Sequence, residues 1–337
     1  MLKFILKFLK ILSREEFNIA DYHGGWKKDK EDSHDFSWGK YFGGITPLEE
    51  ELPEKFSWRD KMPKELPFQG AIPSCVMCSF IFTQAFNQKK EWNKSFRLSW
   101  RFLWANSPHN PTGASYREVA KVLRQMGTSS YDLCPDQPEK GFSWVSDKAN
   151  VSNKAATEAL QHRIDNYTFP DVFELKRAIY RSPLPIAVGG NKDCWNKMAV
   201  KNNNNVVKYD GNIKWYHSIV ATGFDGDKIE FANWFGKDWG DNGYGWLEEG
   251  YPLSGIISLD DLVLNVLKVA KTEDDPAVYW IANGWKHAIV SAEIYREIFH
   301  DPDWQLVKTI SNEEMESYQL GEKIISKDFI KKKINEI

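Results

Sequence analysis

Hydrophobic positions along this chain gather into segments of different period, and the most continuous of them begins at Ser74. From Ser74 to Gln88, the residues Val76, Met77, Cys78, Phe80, Ile81, Phe82, Ala85 and Phe86 cover nearly every side of a helical wheel. A helix that is apolar all round belongs in the middle of a core. Pro73 precedes it, and Ser74 suits the N-cap, where a hydroxyl can accept from an amide that the first turn leaves unpaired. Two further helices are predicted, Tyr116 to Gln125 closed by Gly127 and Val172 to Tyr180. Strands then take over. Leu184-Pro185-Ile186-Ala187-Val188 leads into Gly189-Gly190, while His217 to Phe224 and Lys228 to Trp234 flank the turn Asp225-Gly226-Asp227. Asn202 to Asn205 reads as a loop tip. A helical segment is expected at Leu259 to Ala270, followed by a strand-rich stretch from Ala277 to Ile325. Helices first and strands second imply an α+β arrangement, with a groove where the two parts meet.

The two ends break the pattern. Between Met1 and Leu12, Lys3, Lys7 and Lys10 share one helical face and the rest is apolar. Such a segment can lie on a membrane surface, pack against the body of its own protein or stay a loose terminus, and the last two together are favoured over the membrane. The lysines also interrupt what a cleavable signal would need as an apolar run, and no stretch of about 18 apolar residues exists to span a membrane. Ser13 to Glu51 is polar, with little periodicity; Pro47 and Glu49-Glu50-Glu51 read as a linker that ends before Leu52-Pro53. The chain thus divides into an N-terminal extension (1–51), a main domain (52–258) and a C-terminal module (259–337).

Composition narrows the classes. At 42% hydrophobic and 27% charged the chain is globular rather than disordered. A net charge of -3 offers no reason to expect nucleic acid as a partner. Four cysteines in 337 residues make no disulfide framework. Zinc is a poor reading, because there is no second Cys-x-x-Cys and the histidines show no ligand spacing. No metal or organic cofactor is implied.

The cysteines therefore have to be explained one at a time, and Cys75 stands out in Gln69-Gly70-Ala71-Ile72-Pro73-Ser74-Cys75. A thiol attacks as thiolate, so its pKa must fall from about 8.5. The N-terminus of a helix supplies about 1–2 kcal/mol at best, roughly one pKa unit, and an imidazolium beside the sulfur must supply the rest. His217 opens the apolar strand Trp215-Tyr216-His217-Ser218-Ile219-Val220, and Asn233 follows the next strand, where its amide can orient the ring. Gln69 can donate a side-chain N–H to a developing oxyanion beside the Cys75 amide. Each residue alone has a plainer role: a buried core thiol for Cys75, a satisfied core histidine for His217, a turn residue for Asn233. The order of all four lifts them. Cys78, one turn beyond Cys75, reads as core.

Those same blocks resemble the papain-like cysteine peptidases. Leu52-Pro53 with Trp58-Arg59 is similar to the start of the mature family domain. Gln69-Gly70 with Ser74-Cys75 matches its Gln-Gly…Ser-Cys at a spacing of six, and Asn233-x-x-Gly236 with Trp239-Gly240-Asp241-Asn242-Gly243-Tyr244 matches its later blocks. Histidine and asparagine follow the cysteine by 142 (217 − 75) and 158 (233 − 75) residues, against about 130–150 in the family. The resemblance covers 52–252. It implies a papain-like fold with a helical left lobe, a β-barrel-like right lobe and a cleft between, plus a small β-rich C-terminal module. It also implies peptide-bond hydrolysis by Cys75, His217 and Asn233 with Gln69 at the oxyanion, on a peptide or protein substrate. Gly113 matches the groove glycine whose backbone pairs with substrate. Phe235 stands where a tryptophan shields the asparagine, and with Tyr216 it is a candidate substrate contact. Ile72 replaces a family cysteine, Pro73 a groove glycine and Val76 the tryptophan after the nucleophile; these change subsite geometry and remove no reacting group.

Three further expectations follow. Residues 1–51 are too short for the family's long pro-region, yet are suited to a short prosegment over the groove. The stretch from Val278 to Gly321 resembles small modules of bacterial and phage exported proteins, which suggests a cell-wall or protein partner as readily as a stabilising extension; an extracellular or cell-envelope location is slightly favoured over a cytoplasmic or virion-associated one. Two rivals to the peptidase reading are a catalytically silent binding or structural protein of the same fold and a cysteine amidase or transferase acting on cell-wall peptides.

Overall fold

The apolar segment predicted from Ser74 forms helix α1, Cys75–Trp92. Its residues from Cys75 to Phe82 are all buried, as a helix without a polar face requires. Ser74 leaves the expected capping role: its hydroxyl lies against the Ile72 carbonyl at 3.5 Å and the Cys78 thiol at 3.8 Å. The computed structural model describes residues 24–32, 35, 37–39, 51–92, 94–164, 166–260, 268–282, 285–299, 304 and 307–326. The amphipathic start at 1–12 and most of the predicted linker lie outside the described residues.

The chain separates into two units, one made of Met1–Phe86, Arg97–Arg163 and Tyr167–Leu259, the other of Asn87–Phe96, Ile164–Asn166 and Asp260–Ile337. In the first, α1 is joined by α2 (Trp100–Asn106), α3 (Tyr116–Met126), α4 (Phe142–Ser146), α5 (Asn153–Ala159), α6 (Leu175–Arg181), α7 (Lys192–Trp195) and α8 (Lys197–Asn202). Helix α3 is one-sided, burying Tyr116, Val119, Ala120 and Leu123 at helical spacing, and it stops where expected. At that stop Gly127 takes φ 75° and returns its N–H to the Leu123 carbonyl. Ser99 caps α2 by accepting from the Phe102 amide, a signal masked in sequence by the aromatic run that follows.

The strands of this unit include β1 (Trp26–Lys27), β2 (Lys55–Ser57), β3 (Ala114–Ser115), β4 (Leu184–Gly190), β5 (Val206–Val207), β6 (Trp215–Asp225), β7 (Lys228–Ala232), β8 (Tyr244–Leu247) and β9 (Leu253–Ile256). Six of them follow the order β9-β4-β6-β7-β8-β5, and β2 pairs with the far end of β6. All neighbours are antiparallel except β8 and β5. The eleven residues of β6 make it the spine: it opposes His217 to Val188 and Ser218 to Ala187 on β4, then turns through Asp225-Gly226-Asp227 into β7 as predicted. A register shift falls between Ala221 and Gly223, and there β2 crosses closely. A Cβ on Gly223 would stand 2.4 Å from the Phe56 carbonyl oxygen.

The second unit carries β10 (Lys268–Lys271), β11 (Tyr279–Ala282), β12 (Trp285–Ala288), α9 (Ala292–Phe299), β13 (Lys308–Thr309), α10 (Asn312–Glu316) and β14 (Gln319–Leu320). The sheet order is β13-β10-β11-β12-β14, and Val269, Trp280, Tyr295, Ile298 and Ile324 form its core. The helix expected from Leu259 to Ala270 is a correction. Its described ends are extended, Ser258–Asp260 as a strand and Lys268–Lys271 as β10, and 261–267 lie outside the described residues. Pairing of Val269 with Trp280 across the sheet outweighs a local periodicity that a short apolar run carries ambiguously.

Because Gly223 sits at the β6 bulge where β2 passes too close for a Cβ, Gly223→Ala is expected to destabilise the first unit by about 1–3 kcal/mol. The urea midpoint of the full chain measures this.

Candidate active site

Helix α1 places Cys75 at its first position, fully buried. The loop before it is tight. Gly70 adopts φ 59°, and the Ile72 carbonyl accepts both the Ser74 N–H (2.7 Å) and the Gln69 amide nitrogen (2.7 Å). Gln69 is thereby tied to the loop that leads into α1, with its side chain fully buried. The N–H groups of the first helical turn point toward the same end, where a helix favours negative charge.

His217 arrives on β6. Its Nε2 lies 2.8 Å from Asn233 Oδ1, in the loop after β7. That oxygen also accepts the Trp234 N–H at 2.8 Å, which settles which end of the amide faces the ring. Since the oxygen can only accept, Nε2 carries the proton in the neutral ring and Nδ1 is its acceptor nitrogen. The partner nitrogen, Asn233 Nδ2, is buried with no hydrogen-bond partner among the described residues. An unpaired buried N–H of this kind costs about 1–3 kcal/mol, and stability alone gives no reason to bear it.

Aromatic rings surround the imidazole. Phe235 stacks on it at 4.8 Å and 25°, Trp195 meets it edge-on at 5.6 Å, and Trp239 stacks on Trp195 at 5.8 Å. Trp195 is pinned by its own hydrogen bond to Tyr251 Oη (3.0 Å), which in turn donates to the Gly189 carbonyl (2.6 Å). Burial in this dry cage pushes His217 down to about 3, although the Asn233 bond pulls the other way. Nothing in the sequence around Trp195 marked it; a tryptophan on a four-residue helix carries no periodicity.

Helix α1 and strand β6 meet beside these residues. Ser79, one turn past Cys75, has its Oγ 2.7 Å from Ser218 Oγ, the residue after His217. Phe82 packs edge-on against Trp234, the residue after Asn233, at 5.4 Å. Ser79 and Phe82 of α1 thus reach the residues that follow His217 and Asn233. The other cysteines stay apart from this chemistry. Burial holds the Cys78 thiol well above its ordinary range, and Cys134 packs with Phe102, Ala155 and Ala159.

The polar N-terminal stretch supplies what the periodicity did not suggest. Residues 24–32 lie across the cysteine as a strap, and β1 pairs in parallel with β3. A Cβ on Gly25 would stand 2.1 Å from the Pro73 carbonyl oxygen and 3.0 Å from Cys75 Sγ, and one on Gly24 would stand 2.1 Å from the Tyr216 carbonyl oxygen. Gly113, with φ 112°, leaves room for this approach, since its own Cβ would meet the Gly25 oxygen at 1.9 Å. Its N–H and carbonyl are used by Asn110, and the neighbouring Ala114 N–H is the one that donates to the Gly25 carbonyl, at 2.9 Å. Trp26 packs edge-on against Tyr116 (5.8 Å) and the half-exposed Tyr216 (5.7 Å). Farther along, Asp29 accepts the Arg117 N–H at 3.1 Å, and the Arg117 guanidinium grips both carboxylate oxygens of Asp35 and the Lys30 carbonyl.

No protein-family model matches this chain, and no curated protein matches it. Among solved structures the likeness is clear. Xylellain, a cysteine protease from Xylella fastidiosa, superposes with a TM-score of 0.57 at 21% identity, over 71% of this chain and 96% of that one. Digestive procathepsin L 3 of Tenebrio molitor larval midgut gives 0.53 at 15% identity, over 74% and 79%. A procathepsin B from Trypanosoma congolense gives 0.53 at 15%, over 73% and 88%. This chain has the papain-like α+β fold that its sequence blocks implied.

The depressed histidine has a measurable consequence. Between about 6.5, its ordinary value, and about 3, the unfolded chain binds a proton that the folded one refuses. Stability therefore falls as pH drops through that window, and this contribution is fully present above it. Urea midpoints across pH 3–7 are expected to decline less steeply in His217→Gln than in the natural chain.

Proposed function

We propose that this protein is a cysteine peptidase in which Cys75 is the nucleophile, His217 its acid–base partner, Asn233 the residue that orients the ring and Gln69 a donor to the oxyanion. The observation that carries this reading is the His217–Asn233 bond at 2.8 Å inside a water-poor aromatic cage. In this reading that bond leaves Nδ1 as the ring nitrogen that takes the proton of the Cys75 thiol. The family resemblance of the surrounding sequence blocks supports it.

In the forward direction Nδ1 takes the Cys75 proton, giving thiolate and imidazolium. Sulfur attacks the peptide carbonyl, and the oxyanion accepts hydrogen bonds from the Cys75 amide and the Gln69 side chain. The imidazolium then protonates the departing amine, and the resulting neutral ring activates water to release the acyl group. Charge on the ring is needed at two of these steps. Burial opposes that charge, so the closed form with the strap in place is chemically quiet, and lifting the strap admits the water that lets His217 ionise.

The strap supports a peptide-binding cleft in a direct way: a stretch of backbone already lies against Cys75 and hydrogen-bonds to the wall at Ala114. It is also built to leave. Trp26 Nε1 is buried with no partner among the described residues, which offsets part of what the ring gains by burial. In this reading residues 24–32 act as a short prosegment latched by Asp29, Asp35 and Arg117, and Tyr216 and Phe235 form walls, with Phe235 facing the imidazole.

Two outcomes are expected. Cys75→Ala lowers cleavage of a fluorogenic peptide library by at least about a thousandfold while leaving the thermal midpoint nearly unchanged; retained cleavage sinks the assignment. Trp26→Ala speeds labelling of Cys75 by a thiol-directed epoxide by about tenfold or more, as expected when a buried indole no longer holds the strap. Mass spectrometry of the labelled peptide reads the second result.

A further inference from the structure

Three hydroxyls that the peptidase reading leaves unused form a chain at the seam between α1 and β6. Tyr116 Oη lies 2.8 Å from Ser218 Oγ, Ser218 Oγ lies 2.7 Å from Ser79 Oγ, and Ser79 donates to the Val76 carbonyl at 2.8 Å. All three side chains are buried, Tyr116 at 1% exposure and both serines at 0%. Each hydroxyl has one proton to give. Ser79 spends its proton on Val76, so it must accept from Ser218; Ser218 is then committed and must accept from Tyr116. Burial holds the Tyr116 phenol well above its ordinary pKa, which keeps it a donor. The chain runs one way, from the first residue of α3 through the residue after His217 to the residue after Cys75.

We propose that Tyr116, Ser218 and Ser79 are positioning residues that set the separation of His217 from Cys75. The proposal rests on reading those two as acid–base partner and nucleophile. The Ser218 hydroxyl meets α1, while the ring of His217, one residue earlier on the strand, is held among Phe235 and Trp195. Asn233, Phe235 and Trp195 fix how the ring is turned, but none of them ties β6 to α1. That distance is set at the seam. Apolar packing there would leave the strand able to slide by a fraction of an ångström along the helix. A buried hydrogen bond has a narrow range of length and angle, and a unidirectional chain strengthens each of its members. The Ser218 carbonyl adds a brace by accepting the Trp234 indole N–H at 2.8 Å, and Trp234 itself packs on Phe82 of α1.

A purely structural polar cluster would lower stability and leave the titration of Cys75 alone; a positioning chain would move it. The test is the pH dependence of Cys75 alkylation by iodoacetamide, followed by peptide mass spectrometry and measured in the Trp26→Ala background so that the strap is open throughout. Tyr116→Phe removes one oxygen and keeps the ring, Ser218→Ala and Ser79→Ala remove the others, and Ser218→Thr restores a hydroxyl. With the chain intact, reactivity is expected to persist well below the ordinary thiol range of about 8.5. In Tyr116→Phe and Ser218→Ala the reactive limb should move up by about one pH unit or more. Peptide cleavage in the same variants should lose about 10- to 100-fold in kcat, as a small misplacement of reacting groups does, with KM changed by less than about twofold. Ser218→Thr should recover part of the loss. The double variant Ser79→Ala/Tyr116→Phe should cost less than its singles combined.

Should the limb stay in place in Tyr116→Phe, which is the variant least able to disturb folding, the positioning role is overturned while the nucleophile assignment stands. An ordinary thiol titration in the parent protein would instead remove the Cys75–His217 partnership, and the positioning role with it. A fall in thermal midpoint alone, with limb and kcat unchanged, also overturns the proposal.

Discussion

An imidazole stripped of water and steered by one amide oxygen is the constraint on which this architecture turns. Desolvation disfavours its charge, yet the proposed acyl transfer through Cys75 needs that charge to form. The protein manages the conflict by dividing the tasks among elements. Asn233 fixes the proton on Nε2, Phe235 and Trp195 fix the plane of the ring, and the helix start at Cys75 supplies a field that favours negative sulfur. The orphaned Nδ2 of Asn233 is the visible cost of giving orientation precedence over hydrogen-bond satisfaction.

The strap belongs to the same logic. A chain segment laid across a buried thiol must come very near the backbone, so both sides of the contact are glycine: Gly24 and Gly25 on the strap, Gly113 on the wall. Any Cβ at those positions would stand within about 2 Å of a carbonyl oxygen, far inside van der Waals contact. The close fit keeps water from the ring, and the anchoring lies farther along, where Arg117 reads two aspartates and a carbonyl. Closeness at the sulfur and grip at the guanidinium are separate, which allows the first to be undone without unfolding the second.

Sequence and structure agree best where a residue's role follows from its neighbours in the chain. The all-round apolar pattern of α1, the Gly127 stop of α3 and the Asp225-Gly226-Asp227 hairpin were legible because each is settled within one or two turns of backbone. The helix expected at Leu259 to Ala270 failed at its described ends because strand pairing, a long-range interaction, outranked local period. Ser79, Ser218 and Tyr116 carried no signal at all. A serine next to a histidine is ordinary until a helix from elsewhere brings a second hydroxyl within 2.7 Å.

The amino-acid sequence by itself determined the kinds of group present, their order and the fold they imply: a cysteine at a helix start, a histidine opening a strand, an asparagine after the next. Tertiary structure alone decided what lies around them, because dryness, ring stacking and the covering strap arise between residues far apart in the chain. The polar, aperiodic stretch around Gly24 and Gly25 suited a short cover over the groove only through the family resemblance, with no pattern of its own to fix where it would lie. It becomes a cover only once the fold has built the wall at Gly113 against which its backbone can pair.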